Sequence, residues 1–262
     1  MSGPLRVERD GEHVVVLTLA LPDVRNAMTE ELTAAWAAAV ASLRRDRTVR
    51  CVVVTGEGRA FCAGGDLGWL ASEPDATVDA LRDRMLPFYE TWLSLRALDI
   101  PSIAAVNGAA VGAGACLAMS CDIRYAGASA KLTVPFAQLG MHAGMATTWL
   151  LPEIVGPAAA RELLLTGRVV DAAEMLRLGL CSAVYDDATL LEQSLAQARA
   201  VAAGAPVAQR LHKVALADGG HASFAAALQW EALAQPVTLA SADLQEGLRA
   251  RAEKRPALFT GR

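Results

Sequence analysis

After a charged opening, the chain turns apolar at His13 to Leu19, a β-rich, weakly alternating stretch that predicts a strand. Pro22 to Met28 reads as a loop, and Thr29 is placed to cap a helix running to about Arg47. Arg50 to Thr55 is a short β-branched run, the pattern of a strand buried on both faces. Gly64 to Trp69 begins a short helix, and the polar stretch Glu73 to Thr77, with Pro74, is a loop. A helix covers about Val78 to Leu98, and Ser102 to Val106 is the next apolar strand. Beyond a glycine-rich turn, Ala113 to Ser120 is a buried helix, and Ile123 to Ala126 and Lys131 to Thr133 are short strands around the turn Gly127 to Ala130. From Thr147 onward the pattern is helical. The expected helices are Thr147 to Val155, Ala158 to Leu165, Ala172 to Leu178, Ala188 to Ala203, Val207 to Ala217, Ser223 to Gln235 and Ser241 to Arg255. Alternation of strand and helix followed by helix alone predicts an α/β core over residues 1–200 and a helical region over 201–262.

Composition sharpens this picture. With 262 residues the chain can bury a sizeable core, and because 53% is apolar but only 5% aromatic, that core must be built from Ala, Val and Leu. The net charge is −4 and no basic block exceeds Arg44-Arg45, which argues against a nucleic-acid partner but leaves room for a small polyanion. Met1 to Asp10 lacks the apolar core of a signal peptide, so none is expected. The apolar stretch Ile100 to Met119 is broken by Pro101, Asn107 and glycines, which fits strand, turn and buried helix better than a membrane span. Five cysteines, an odd number without metal-like spacing, point to a reducing compartment, the cytoplasm, and to no metal.

Two segments carry the candidate chemistry. Arg59-Ala60-Phe61-Cys62-Ala63-Gly64-Gly65-Asp66-Leu67 follows the apolar run ending at Thr55, and Asn107 to Ala118, containing Gly112-Ala113-Gly114, follows the strand ending at Val106. Each is a strand running into a glycine turn and a helix start, a geometry that leaves backbone N–H groups unpaired and aimed outward. A glycine pair after a strand alone would indicate only a tight turn. Together, the two segments resemble the enoyl-CoA hydratase/isomerase (crotonase) superfamily, and the similarity continues through Gly140, Gly144, Leu163 to Gly167, Ala172-Ala173, Gly179-Leu180 and Glu246-Gly247.

The resemblance implies a core of stacked ββα turns forming a spiral, and a C-terminal helical extension that serves oligomerisation and closes the active site. It implies an acyl-CoA thioester as substrate, with coenzyme A part of the substrate and no separate cofactor, and a homotrimer or dimer of trimers. The N–H groups of Gly65 and Ala113 would be the oxyanion donors, holding negative charge on the thioester oxygen. Arg25 and Arg59 would approach the nucleotide phosphates, and the backbone around Ala63, Gly65, Asp66 and Leu67 would meet the adenine edge, although both arginines equally suit a solvated surface. A basic residue often found at the position of Gly68 is absent, and Lys213 and Arg262 are weaker phosphate candidates.

The chain departs from the family at its two catalytic glutamates. Where the resemblance places them, Cys116 and Phe136 stand, so hydration and double-bond isomerisation by those carboxylates are not expected. Decarboxylation, C–C cleavage or thioester hydrolysis takes their place, with a non-catalytic acyl-CoA binder as the alternative and a carrier-protein thioester as another possible ligand. Cys116 is either a nucleophile at a helix start, where a thiol pKa falls, or a small buried hydrophobe. His142 is either a proton carrier in the acyl-pocket loop or a packing residue. Asp75, Asp79 and Tyr89 could reach an acyl tail, while Phe136, Met141, Met145 and Trp149 read as an apolar lining or as plain core.

Overall fold

The computed structural model describes residues 3–217 and 220–262, with Leu70 described by its backbone only. Its ten strands form two sheets among the described residues. The larger sheet, in the order β1-β2-β3-β5-β7-β10, comprises β1 (Leu5–Asp10), β2 (Val14–Leu19), β3 (Cys51–Gly56), β5 (Ser102–Val106), β7 (Ile123–Gly127) and β10 (Ala183–Tyr185). The smaller, in the order β4-β6-β8-β9, comprises β4 (Ala60–Cys62), β6 (Ala109–Val111), β8 (Lys131–Thr133) and β9 (Val170–Asp171). The helices are α1 (Glu30–Arg45), α2 (Leu67–Leu70), α3 (Val78–Leu93), α4 (Ala113–Ser120), α5 (Thr147–Thr166), α6 (Ala172–Arg177), α7 (Leu190–Ala202), α8 (Pro206–Leu216), α9 (Phe224–Leu239) and α10 (Ala242–Glu253).

The pairs β3–β4, β5–β6 and β7–β8 each place the first strand in the larger sheet and the second in the smaller, and each is followed by a helix. Successive pairs run parallel in both sheets, β3 to β5 to β7 and β4 to β6 to β8, so the chain advances as a spiral of ββα turns. β1 closes the larger sheet antiparallel to β2.

Every residue of β2, β3 and β5 is buried because both faces of the sheet are covered. Alternate side chains divide between two cores. Val15, Leu17, Val52, Val54, Ala104 and Val106 face α1, α3 and α4, whereas Val14, Val16, Val53, Ile103 and Ala105 meet Leu190, Ala198 and Ala202 of α7. Few aromatics are available, and two tryptophans are spent on one joint. Trp36 of α1 and Trp92 of α3 stack at 5.1 Å with no exposed surface. Their indole N–H groups donate to Thr91 O and Thr33 Oγ1, each at 3.1 Å, so the buried donors are satisfied. That joint fixes α3, whose Met85, Phe88 and Tyr89 lie on the same face as Trp92, one to two turns nearer its N-terminus.

Thr29 caps α1 as expected, its hydroxyl accepting from Leu32 N at 3.2 Å. β1 was not foreseen from the charged opening; it is an edge strand with Val7, Glu8 and Arg9 exposed, so its pattern carries little apolar signal. β4, β6, β9 and β10 have three residues or fewer, too short for periodicity to register. α3 ends at Leu93 rather than near Leu98, and the following turns still bury Leu95 and Leu98. The two helices expected after Thr147 are both present within α5, separated by the non-helical Gly156 (φ 76°, ψ 163°) next to Pro157.

α8 is tied to the core by Lys213, whose Nζ lies 2.9 Å from Asp122 and 2.8 Å from Ile100 O. α9 buries no residue, and Phe224 (81%) and Leu233 (74%) are widely exposed. Among the described residues no helix is long and apolar enough to cross a membrane.

Candidate active site

The two glycine turns meet because β4 and β6 lie side by side. Gly64, at φ +92°, packs so closely on the second turn that a Cβ there would fall 2.6 Å from Val111 O and 3.2 Å from Ala113 N. Its backbone conformation and the close approach both demand glycine. Gly64 O accepts from Met28 N at 2.8 Å in an isolated parallel bridge centred on Gly65. Amides alternate sides along an extended segment, so the Gly65 N–H faces away from that bridge. Ala113 is the first residue of α4, and its N–H has no acceptor within the helix. Both residues line one cavity of about 110 Å³.

Two asparagine amides, one buried and one half-buried, hold the first turn in place. Asn26 is wholly buried and left-handed (φ 56°), a conformation asparagine tolerates better than most residues. Its Oδ1 accepts from Leu21 N at 2.9 Å, and its Nδ2 donates to Glu57 O at 3.0 Å and Ala60 O at 2.8 Å. Asn107 Oδ1 accepts from Gly56 N at 3.0 Å while its Nδ2 donates to Gly58 O at 3.1 Å. Neither role was foreseen, since a lone asparagine in a loop gives no sign of which carbonyls it will meet.

The rest of the cavity wall is apolar. Met85, Phe88 and Tyr89 come from α3, Val111 and Gly112 from the second turn, and Phe136, Leu139, Met141, His142, Gly144 and Met145 from the segment before α5. Met85, Phe88 and Leu139 went unrecognised in the sequence, although Met85, Phe88 and Tyr89 have the i, i+3, i+4 spacing of one helical face. Met145 and Ala146 are both left-handed (φ 55° and 54°), a conformation costing a non-glycine residue about 1–2 kcal/mol, immediately before α5. Among the described residues the lining contains no carboxylate; its only polar side chains are Tyr89 and His142. Burial raises the Tyr89 phenol above its usual value, with a smaller contribution from Cys116, so it remains a neutral O–H donor. His142 is exposed, and its Nδ1 lies 2.7 Å from Ala143 O. A carbonyl can only accept, so Nδ1 carries the hydrogen and Nε2 of the neutral ring is left as an acceptor.

The other sequence candidates fall in different places. Phe136 lines the cavity, but Cys116 lies behind the wall with no exposed surface. The Cys116 Sγ donates to Gly112 O at 3.2 Å and lies 2.9 Å from Thr147 Oγ1. Burial pushes this thiol up to about 12, overriding the helix start that was expected to lower it. Trp149 is 56% exposed and does not border the cavity, and neither do Asp75 and Asp79. Lys213 is engaged with Asp122 and only 8% of its side chain is exposed, which takes it out of reach of a phosphate. Arg25 and Arg59 are both exposed, and among the described residues neither makes an ion pair. Arg25 O accepts from Ala63 N at 2.9 Å, which sets its loop beside the first glycine turn. Leu67 borders the cavity with 63% of its surface exposed, and Asp66 caps α2 by accepting from Trp69 N at 2.6 Å.

The spiral of ββα turns that brings two backbone amides, Gly65 and Ala113, to one cavity is shared as a fold by solved enzyme structures. The enoyl-CoA hydratase of Bacillus anthracis superposes with a TM-score of 0.93 at 31% identity, over 99% of this chain and all of that one. The model of the enoyl-CoA hydratase/isomerase family matches residues 9–262, and the chain belongs to that family. Among curated relatives, the 1,2-epoxyphenylacetyl-CoA isomerase of Escherichia coli is 36% identical over 250 residues, 95% of each chain. The probable enoyl-CoA hydratase EchA14 of Mycobacterium tuberculosis is 42% identical over 191 residues, 73% of each. The chain is thus an acyl-CoA enzyme of the crotonase superfamily.

Proposed function

We propose that this enzyme forms a thioester enolate without a catalytic carboxylate, and that its reaction is decarboxylation of a malonyl-type acyl-CoA. One observation carries the proposal: the cavity is bordered by Gly65 and Ala113 and, among the described residues, by no Asp or Glu. The bond from Cα to the carboxylate carbon breaks, CO₂ leaves, and the electron pair moves onto the thioester oxygen. There the two amides stabilise the developing charge, each donor of this kind being worth about 10²–10³ in rate. His142, exposed to solvent at the cavity edge, relays a proton from water to Cα. C–C cleavage and thioester hydrolysis use the same two donors but also need an activated water. For them His142 Nε2 is the available acceptor.

Arg25 and Arg59 are exposed beside the first turn and can meet the nucleotide phosphates, and the backbone from Ala63 to Leu67 can meet the adenine. No separate cofactor is invoked, because coenzyme A arrives with the acyl group. The apolar surface on α8 and α9, with Leu216 at 75% and Phe224 at 81% exposure, supports self-association as a trimer or dimer of trimers. Five unpaired thiols fit a reducing, cytoplasmic setting.

The test is to incubate the purified protein with saturated, enoyl, 3-oxoacyl, aromatic and malonyl-type thioesters in D₂O and follow all species by mass spectrometry. The expected result is loss of CO₂ from a malonyl-type thioester with one deuterium gained at Cα. Hydration of crotonyl-CoA at a hydratase-like rate would refute the proposal. Binding with neither exchange nor product would make the protein a non-catalytic acyl-CoA binder.

A further inference from the structure

Tyr89 is unusual among the cavity residues. It is only partly buried, it borders the apolar wall, and among the described residues its hydroxyl has no hydrogen-bond partner. A partly buried phenol on a cavity wall, with no protein acceptor taking its hydrogen, is free to donate to a ligand bound there. The hydroxyl is held in place by close packing: a Cβ on Gly144 would lie 2.5 Å from it, so the oxygen rests on the bare Cα of that glycine. From the other side, the Phe88 ring meets Tyr89 edge-on at 6.2 Å. The cavity is also small, about 110 Å³, less than the roughly 150 Å³ apolar cavity that takes a benzene ring.

Resting on the acyl-CoA reading above, we propose that Tyr89 is a specificity-determining residue that selects short acyl groups carrying an acceptor oxygen beyond the thioester carbonyl. The phenol donates to that oxygen. Met85, Phe88, Phe136, Met141 and Met145 surround the hydrocarbon remainder. A carbonyl or hydroxyl oxygen and a carboxylate oxygen share this chemistry. Long or branched hydrocarbon acyl groups satisfy neither the phenol nor the volume. Tyr89 here binds the substrate and keeps its proton; the reacting proton is carried elsewhere.

The test compares three probes on the full chain: butyryl-CoA, acetoacetyl-CoA and methylmalonyl-CoA. Their dissociation constants are read from tryptophan fluorescence in stopped flow, before turnover, for the wild type and for Tyr89→Phe. The wild type should bind one or both oxygenated thioesters more tightly than butyryl-CoA, and the one preferred reports whether the acceptor is neutral or anionic. Tyr89→Phe should weaken that preferred thioester about 2- to 10-fold if the acceptor is neutral and about 10- to 150-fold if it is charged, the span for losing one hydrogen bond, while leaving butyryl-CoA within about 2-fold. Gly144→Ala, which must push the hydroxyl aside, should reproduce the selective loss with tyrosine still present. Equal weakening of all three probes, or no change in any, would overturn the role of Tyr89 and leave the acyl-CoA reading standing. Failure of the wild type to bind any of the three would overturn both.

Discussion

Proline at position 113 would delete one proposed donor and leave every side chain but its own unchanged. Ala113 is the first residue of α4, the position where proline is best tolerated because its missing N–H has no helical partner in any case. The preceding Gly112 (φ 52°, ψ −115°) lies outside the α region that a following proline disfavours. Ala113 is also nearly buried at 8% exposure, so the ring replaces a methyl at the cavity wall and not on the surface. Because Gly64 packs close to Ala113 N, the ring overpacks this joint and should cost about 1–3 kcal/mol of stability, leaving the protein folded for assay. Activity should not be spared: losing one oxyanion donor costs about 10²–10³ in kcat, or about 2.7–4 kcal/mol of transition-state stabilisation. The ring also occupies the space into which the hydrogen pointed. The assay is kcat and KM on whichever thioester the D₂O panel identifies, beside urea unfolding of the same preparation. Ala113→Gly is the control, since it alters the side chain but keeps the amide, and it should stay within about 10-fold of wild type. Retention of more than about a third of wild-type kcat by a folded Ala113→Pro would refute a role for this amide.

Other consequences follow from the same structure. Asn26→Ala removes four side-chain hydrogen bonds that hold the first glycine turn and should cost about 2–4 kcal/mol in urea unfolding; a loss below about 1 kcal/mol contradicts its assigned part. Burial pushes the thiols of Cys51, Cys62, Cys116 and Cys121 up to about 12 from an ordinary 9.0, so above about pH 9 the unfolded chain releases protons that the folded protein retains. Their stabilising contribution is intact below that pH and is lost as pH rises toward 12, by up to about 1.4 kcal/mol per pH unit for each thiol. Urea midpoints should fall steeply between about pH 9 and 10.5, less so in Cys116→Ala, and a flat profile would contradict the burial argument. Ala146→Gly relieves a left-handed alanine at the exposed start of α5 and should raise stability by about 1 kcal/mol, measured as an increase in urea midpoint.

What the sequence disclosed follows physical rules that are local along the chain. β3 and β5 could be read because strands buried on both faces are continuously apolar, and α1 because Thr29 stands at its cap. The two glycine turns could be read because their conformation depends on which residues lack a Cβ, as Gly64 illustrates. Of the smaller sheet only β8 was legible, beside the turn Gly127 to Ala130; the others were not, since two or three residues such as Ala60–Cys62 gain their identity only from the neighbour they pair with. The site divides the same way. Gly65, Ala113, Phe136, Met141, Met145, Tyr89 and His142 all border one cavity, yet Trp149, on the same stretch as Met145, turns outward. Cys116 shows the limit most clearly: its place in the chain suggests a lowered pKa, and only its three-dimensional surroundings reveal that burial wins. Asn26 and Asn107 act through carbonyls, such as Ala60 O and Gly58 O, some thirty to fifty residues away in sequence, which no local pattern records.

The central claim is that two backbone amides, not carboxylates, drive this site, and the thioester carbonyl itself reports on them. Isotope-edited infrared difference spectroscopy on a bound acyl-CoA labelled with ¹³C at the carbonyl reads its polarisation directly. Donation from Gly65 and Ala113 should move the carbonyl stretch to lower wavenumber on binding, and Ala113→Pro should abolish most of that displacement. A band that stays at its solution frequency in the wild type, or a shift that survives undiminished in Ala113→Pro, would contradict the account.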